Sequence, residues 1–87
     1  MHPVQTLKSE ISHRIERIFK SHLLINIRKP IAKANLVRDM QINPMEFLEI
    51  IFCVENEFNI ELQDHDLPQI QTVGDLVECV ERYANGI

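Results

Sequence analysis

Apolar and polar positions in the first quarter of the chain follow the period of an α-helix. Apolar side chains recur every three or four residues between about Pro3 or Thr6 and Leu23, and charged side chains occupy the opposite face. This spacing predicts an amphipathic first helix. Its apolar positions are Val4, Leu7, Ile11, Ile15, Ile18 and His22 or Leu23.

A second helix is predicted from Asn43-Pro44 to about Phe58. Asparagine is a favoured N-cap because its side chain accepts a hydrogen bond from a free backbone N–H. Proline is favoured at the next position, where its missing N–H is not needed. The apolar pattern then weakens into a short helical turn near 64–69, which Pro68 disturbs.

A last helix is predicted to begin after Thr72, which pairs with Asp75 in a pattern like a capping box. Asn85-Gly86 is a typical C-terminal stop. The apolar face of this helix consists of Val73, Leu76, Val77, Val80 and Tyr83 or Ala84.

The connection 24–42 between the first two helices is long. Pro30 blocks a continuous helix, and no strand partner is apparent for this stretch. A connection of this length in a small domain needs contacts with the core. The side chains expected to provide them are Ile25, Ile27, Ile31, Leu36, Val37 and Met40.

The composition agrees with an all-α fold. The chain has 87 residues, of which 45% are hydrophobic, 25% are charged and only two are glycine. We expect one domain over 1–87 with a core over about 4–84, and not a two-lobed enzyme. The sequence contains neither a glycine-rich phosphate loop nor a Ser/His/Asp arrangement. No catalytic residues are therefore assigned.

Two cysteines are too few for a secreted disulfide framework, so we interpret Cys53 and Cys79 as small hydrophobic residues in a cytoplasmic protein. Neither a signal peptide nor a membrane span is expected from the apolar runs. The four histidines do not have metal-ligand spacing with the cysteines. The Asp64-His65-Asp66 sequence is too short for a calcium loop, so no metal site is assigned.

Charge is distributed unevenly along the chain. Residues 1–42 have a formal charge of +5 and residues 43–87 a formal charge of −9, which together give the net −4. Two interpretations remain open: the two halves attract each other in the fold, or an acidic face binds a basic partner. Nucleic acid is not an expected partner, because phosphate would repel the acidic second helix.

The second helix has two apolar stripes when its residues are placed at 100° per residue. The first stripe is predicted to face the core and consists of Phe47, Ile50, Ile51, Val54 and Phe58. The second lies nearly opposite and is a candidate partner-binding strip, with Met45, Leu48 and Phe52 as anchors and Glu46, Glu49 and Glu55 as an acidic rim. The alternative is that the long connection or the short third helix covers this strip.

The segment 36–62 resembles the acyl carrier protein family. That family has an apolar-x-Asp-Leu approach, an Asp-Ser-Leu motif opening an acidic helix, and a Glu-Glu-Phe-like end, and 70–80 is similar to its Ile-Thr-Thr-Val motif. The resemblance extends without a gap over roughly 10–84. The matching positions are Val37, Asp39 and Met40, then Asn43, Pro44 and Met45, then Glu46, Glu49, Glu55, Glu57 and Phe58.

The resemblance implies an acyl-carrier-like bundle of three main helices and one short helix, with a long loop between the first two. It also implies a 4′-phosphopantetheine arm attached through a serine hydroxyl by a phosphodiester. Pro44 stands at the position of that serine and Asn43 at that of the preceding aspartate. Since proline has no side-chain nucleophile, we expect no cofactor here. Two explanations of this replacement stay open: drift after the carrier function was lost, or selection for a partner-binding protein that carries no group.

The sequence thus predicts a non-enzymatic interaction module that binds a basic-surfaced protein through its second helix. The resemblance alone suggests that this partner is an enzyme of fatty-acid or polyketide-type thioester metabolism. Two alternatives stay open: a genuine carrier with an altered or misplaced attachment site, and a homodimer or structural adaptor that uses the same helix. The expected state is a monomer or a weak homodimer.

Overall fold

A computed structural model describes residues 7–23 and 31–85. Three α-helices form the framework: α1 at Lys8–Leu23, α2 at Pro44–Phe58 and α3 at Val73–Ala84. Two 3-10 helices lie in the connections, at Ile31–Lys33 and Asp64–Gln69. The expected all-α bundle with a short third helix is confirmed, and the three-residue Ile31–Lys33 helix is an addition to it.

The hydrophobic core lies where α1 packs against both α2 and α3. Ile11, Ile15 and Ile18 of α1 are buried, as the spacing predicted, and Phe19 is also completely buried. Leu7 was expected on this face but is 63% exposed, because it precedes the first turn of α1. Pro3, Val4 and Thr6 lie outside the described residues. The core side chains contributed by α2 and α3 are Ile50, Ile51, Val54, Val73, Leu76, Val77, Cys79 and Val80.

The end of the long connection is organised by Asn35. Its side-chain oxygen accepts hydrogen bonds from the backbone N–H groups of Val37 (3.0 Å) and Arg38 (2.8 Å), which forms a tight turn. This turn directs Leu36 into the core and leaves Val37 71% exposed, so the prediction that Val37 anchors the loop is wrong. Met40 packs against the core as expected. Ile25, Ile27 and the side chain of Ile31 lie outside the described residues.

This connection is also tied to the start of α3. Asn35 and Thr72 form an isolated antiparallel bridge, with hydrogen bonds from Leu36 N to Gln71 O (2.9 Å) and from Val73 N to Ala34 O (3.1 Å). The sequence had shown no strand partner for this stretch. Such a short pairing has no alternating pattern from which it could be recognised.

Caps determine where α2 and α3 begin. Thr72 and Asp75 form a complete capping box, with 3.0 Å hydrogen bonds in both directions. Asn43 is the N-cap of α2, which ends at Phe58. Its C-cap, Asn59, adopts the left-handed conformation (φ 55°) that asparagine tolerates better than most residues. The predicted N-caps and the predicted end of α2 are confirmed.

Gly74 permits a close approach between α3 and the Ile31–Lys33 helix. A Cβ atom built at Gly74 would lie 2.9 Å from the carbonyl oxygen of Ala32, a distance that real Cβ atoms essentially never show. The contacting atom belongs to the backbone, so it cannot move away as a flexible side chain would. The absence of a side chain at position 74 therefore sets how closely the two helices pack.

Substituting Gly74→Ala should lower the free energy of unfolding by about 1 kcal/mol, since overpacking costs ~1–3 kcal/mol and the better helix propensity of alanine returns ~1 kcal/mol. Urea denaturation measures this change. Glu78→Ala at an exposed position of the same helix serves as the control and should change stability by less than about 0.5 kcal/mol. A gain in stability for Gly74→Ala would contradict the close approach.

Candidate functional site

The first turn of α2 is held by a capping box and has a proline at its first position. The side-chain oxygen of Asn43 accepts a hydrogen bond from Glu46 N (2.8 Å), and Glu46 Oε1 accepts one from Asn43 N (3.0 Å). Pro44 is the first helical residue and is exposed. Asn43, Pro44 and Met45 have no hydroxyl or thiol group, so this turn offers no side-chain nucleophile for a covalent group.

The second apolar stripe of α2 faces outward. Met45 is 72% exposed, Leu48 54% and Phe52 68%, whereas Ile50, Ile51 and Val54 on the opposite face are buried. We call Met45, Leu48 and Phe52 the α2 strip. The alternative in which the long connection or the short third helix covers this strip does not hold for the described residues. Phe47 and Phe58, expected in the core stripe, are half-buried and pack against the core.

The acidic side chains of α2 have different surroundings. Glu49 is exposed next to the strip. Glu46 belongs to the capping box, and Glu55 Oε2 accepts a hydrogen bond from Leu62 N (2.9 Å), which holds the chain that follows α2. Sequence reasoning assigned all three to an acidic rim and missed the structural hydrogen bonds of Glu46 and Glu55. Their role in partner binding stays a prediction.

Arg14 connects α1 to the C-terminal end of α2. Its Nη2 atom lies 2.6 Å from Glu57 Oε2 and donates to the Glu57 carbonyl oxygen (3.0 Å), and its guanidinium carbon lies 4.5 Å from the centre of the Phe58 ring. A cation is favourable there because the helix C-terminus has a partial negative charge. This contact supports the interpretation that the basic and acidic halves attract each other.

An apolar cavity of about 590 Å³ lies beside the first turn of α2. Pro44 and Phe47 contribute to its wall from α2, and the residues with polar side chains that line it are Asn35, Asn43 and Gln71. No charged side chain of the described residues lines this cavity, which we call the α2 cavity. Its remaining apolar lining consists of Leu36, Val37, Ile42, Leu67, Pro68 and Ile70.

The cysteines and the Asp64-His65-Asp66 sequence do not form a second site. Burial raises the pKa of both thiols, and the charge of Glu49 raises the pKa of Cys53 further, so neither is an activated nucleophile. No group of three metal-ligating side chains occurs within the described parts of the chain. Asp66 is buried and accepts a hydrogen bond from the Tyr83 hydroxyl, a partnership that the sequence pattern did not reveal.

Among the helices described, none is both long enough and apolar enough to cross a membrane.

Two comparisons with known proteins agree with this architecture. The chain is similar in structure to the acyl carrier protein of Enterococcus faecalis, with a TM-score of 0.74 and 23% sequence identity, over 90% of this chain and 99% of that chain. At this identity the likeness shows the fold. Independently, the family model described as "Phosphopantetheine attachment site" matches residues 13–80, which is well over half of the chain.

Proteins of this family are carriers and not enzymes, in agreement with the expectation from the sequence. The family as a whole uses a 4′-phosphopantetheine prosthetic group and interacts with enzyme partners. The match over 13–80 and the shared fold lead to one conclusion: the chain belongs to the phosphopantetheine-attachment family of acyl carrier proteins.

Proposed function

We propose that this chain is an interaction protein of the acyl carrier family that does not itself carry 4′-phosphopantetheine. It binds a basic-surfaced enzyme of fatty-acid or polyketide-type thioester metabolism through α2. The single observation that carries this proposal is the exposed α2 strip, which lies on an acidic helix whose first residue is Pro44.

The first turn of α2 has no side chain to which the prosthetic group could be attached. By the resemblance, Pro44 stands where the family has its serine, and the side chain of proline cannot form a phosphodiester. The helix itself is well formed without the serine, because Asn43 and Glu46 cap it and proline suits its first position. The loss of the hydroxyl therefore removes the attachment chemistry and leaves the recognition helix in place.

The α2 strip has the properties of a small docking surface. Its three apolar side chains lie within eight residues, or about 10 Å of helix. Methionine and phenylalanine supply adaptable apolar contacts and are enriched at protein interfaces. Because large apolar side chains clustered on a surface are favoured in contact with a partner, the strip supports docking more strongly than scattered exposed residues would.

Charge on α2 determines the kind of partner. The helix contains four glutamates and no lysine or arginine. Glu49 is the carboxylate placed beside the strip, while Glu46, Glu55 and Glu57 accept hydrogen bonds within the chain and add their charge to the field of the helix. A basic surface with an apolar depression complements this face, and the charges would speed and orient its association.

The proposal also includes the domain extent, the location and the oligomeric state of the chain. A single domain over 1–87 and a cytoplasmic location remain predictions, the latter supported by two cysteines that form no disulfide in the described part of the chain. A monomer or a weak homodimer is expected, since two copies meeting strip to strip would bring their Glu49 carboxylates close together.

Binding to a ketosynthase that accepts acyl carriers provides the test, with affinity measured by titration calorimetry. Phe52→Ala should weaken binding at least about tenfold, as expected for a central aromatic anchor. Glu49→Lys should weaken it as well, because the introduced cation opposes the basic partner.

Glu78→Lys is the matched control, because it makes the same charge change at an exposed position of α3. It should leave the affinity nearly unchanged. Equal effects of Glu49→Lys and Glu78→Lys would contradict docking through α2. So would the absence of ketosynthase binding by the wild-type chain. A stable dimer that Phe52→Glu dissociates would instead support the homodimer alternative.

A further inference from the structure

Tyr83 joins α3 to the Asp64–Gln69 helix. Its hydroxyl donates a hydrogen bond to Asp66 Oδ2 and accepts one from Gln63 N (3.2 Å). Asp66 is a buried charged residue, with 9% exposure, and His65 Nε2 lies 3.7 Å from its other carboxylate oxygen. A single side chain of α3 therefore engages both the start and the centre of this 3-10 helix.

The same 3-10 helix forms one wall of the α2 cavity. Leu67 and Pro68 line the cavity, and Pro44 and Phe47 line it from α2. Asp66 precedes Leu67 directly, so the position of Asp66 determines where this wall lies. The hydrogen bonds of Tyr83 thus act within one residue of the cavity lining, although Tyr83 itself does not line the cavity.

The two ends of this wall are anchored independently of Tyr83. Leu62 and Ile70 are buried on either side of the Asp64–Gln69 helix, and Leu62 N donates to Glu55 Oε2 (2.9 Å). Between these anchors the chain has six residues of 3-10 helix that include Pro68. Runs of 3-10 helix longer than three or four residues are uncommon because their hydrogen-bond geometry is poor. This middle part therefore depends on contacts with its surroundings.

We propose that Tyr83 is a latch that holds the Asp64–Gln69 helix against α3, and that its release lets this wall of the α2 cavity move outward between the anchors at Leu62 and Ile70. The device is separate from the α2 strip, so it does not depend on the docking proposal. It regulates the size of the cavity, and a group that competes for Asp66 or for the Tyr83 hydroxyl would open it.

The protonation states of Asp66 and Tyr83 agree with a hydrogen bond from the hydroxyl to the carboxylate. The hydrogen bond from Tyr83 lowers the pKa of Asp66, and the nearby charges of His65 and Arg82 lower it further, while the same hydrogen bond raises the pKa of Tyr83. Asp66 therefore remains charged and Tyr83 protonated near neutral pH. The stabilising effect of the carboxylate is present above the ordinary pKa of aspartate and is lost as pH falls through the lowered pKa of the folded state.

Amide hydrogen exchange resolved by residue tests the latch in the intact chain. Tyr83→Phe removes the hydroxyl and leaves the ring, and should speed exchange at the Asp66 and Ile70 amides at least about tenfold, because a buried carboxylate loses the hydroxyl that donates to it. The capping amides of Glu46 and Asp75 report on α2 and α3 and should keep their wild-type rates. Glu78→Gln, which changes an exposed polar side chain of the same helix as Tyr83, is the control and should change none of these rates.

Asp66→Asn keeps an acceptor oxygen and removes the charge, so it should speed exchange less than Tyr83→Phe does. Unchanged rates at Asp66 and Ile70 in Tyr83→Phe would overturn the latch. An equal rise at all four amides would also overturn it, because the effect would then be a loss of overall stability.

Nile red, an uncharged dye whose fluorescence rises in apolar surroundings, tests the opening of the cavity. Both chains carry Phe52→Glu, so that the α2 strip does not bind the dye. The Tyr83→Phe chain should then show higher dye fluorescence than the chain that retains Tyr83. Equal fluorescence would overturn the proposal that the latch controls the cavity.

Discussion

Replacing Phe19 with alanine should lower the free energy of unfolding by about 3–5 kcal/mol. Phe19 is fully buried and is the largest side chain in the core that α1 shares with α2 and α3. Removing its ring takes away both the favourable burial and the contacts of the surrounding side chains, which cannot collapse into the space. Since domains of this kind have a total stability of ~5–15 kcal/mol, a loss of this size is a large fraction of the total, and the variant should unfold at a markedly lower urea concentration.

Phe52→Ala is the matched comparison, because it removes the same ring from a position that is 68% exposed. It should change stability by less than about 0.5 kcal/mol. Urea denaturation followed by circular dichroism measures both variants. A large loss of stability for Phe52→Ala would show that the α2 strip is packed within the fold, and the docking proposal would lose its main support.

Substituting Pro44→Ser should convert the chain into a substrate for phosphopantetheine attachment. Incubated with a phosphopantetheinyl transferase and coenzyme A, this variant should gain the mass of one phosphopantetheine, whereas the wild-type chain should gain none. The capping box of Asn43 and Glu46 is independent of residue 44, so the serine would stand at the start of an intact helix. Mass spectrometry of the intact chain gives the answer directly.

Pro44→Ala controls for the loss of the proline ring and should gain no mass. A mass gain by the wild-type chain would contradict the proposal and support the genuine carrier with an attachment site elsewhere. If Pro44→Ser gains no mass, then the chain has lost recognition by the transferase in addition to the hydroxyl. That result would argue against a helix that keeps the recognition features of the family.

The sequence by itself was sufficient to predict the three α-helices and the two apolar faces of α2. Asn43-Pro44 and Thr72 with Asp75 identify the starts of α2 and α3, because a cap acts through backbone groups only a few residues away. The place of Met45, Leu48 and Phe52 opposite the core stripe also follows from local information, because a helix has a fixed period. Their exposure was decided by the tertiary structure.

Other features depend on individual side-chain contacts. Leu36 and Val37 are adjacent and both apolar, and only the turn made by Asn35 determines which of them is buried. Likewise, the sequence could not show that Glu55 holds Leu62. Neither contact belongs to a repeating pattern, so no periodicity records it.

Tyr83 and Pro44 show most clearly what the sequence determined and what the tertiary structure decided. The pattern placed Tyr83 on the apolar face of the last helix, but its hydrogen bond to Asp66, 17 residues earlier in the chain, arises from the packing of two elements. Pro44 needed no structure to show that it lacks a hydroxyl. Side-chain chemistry, helical period and the local caps were therefore determined by the sequence alone. The neighbours of the polar groups outside the caps were decided by the tertiary structure, because packing between elements selects them.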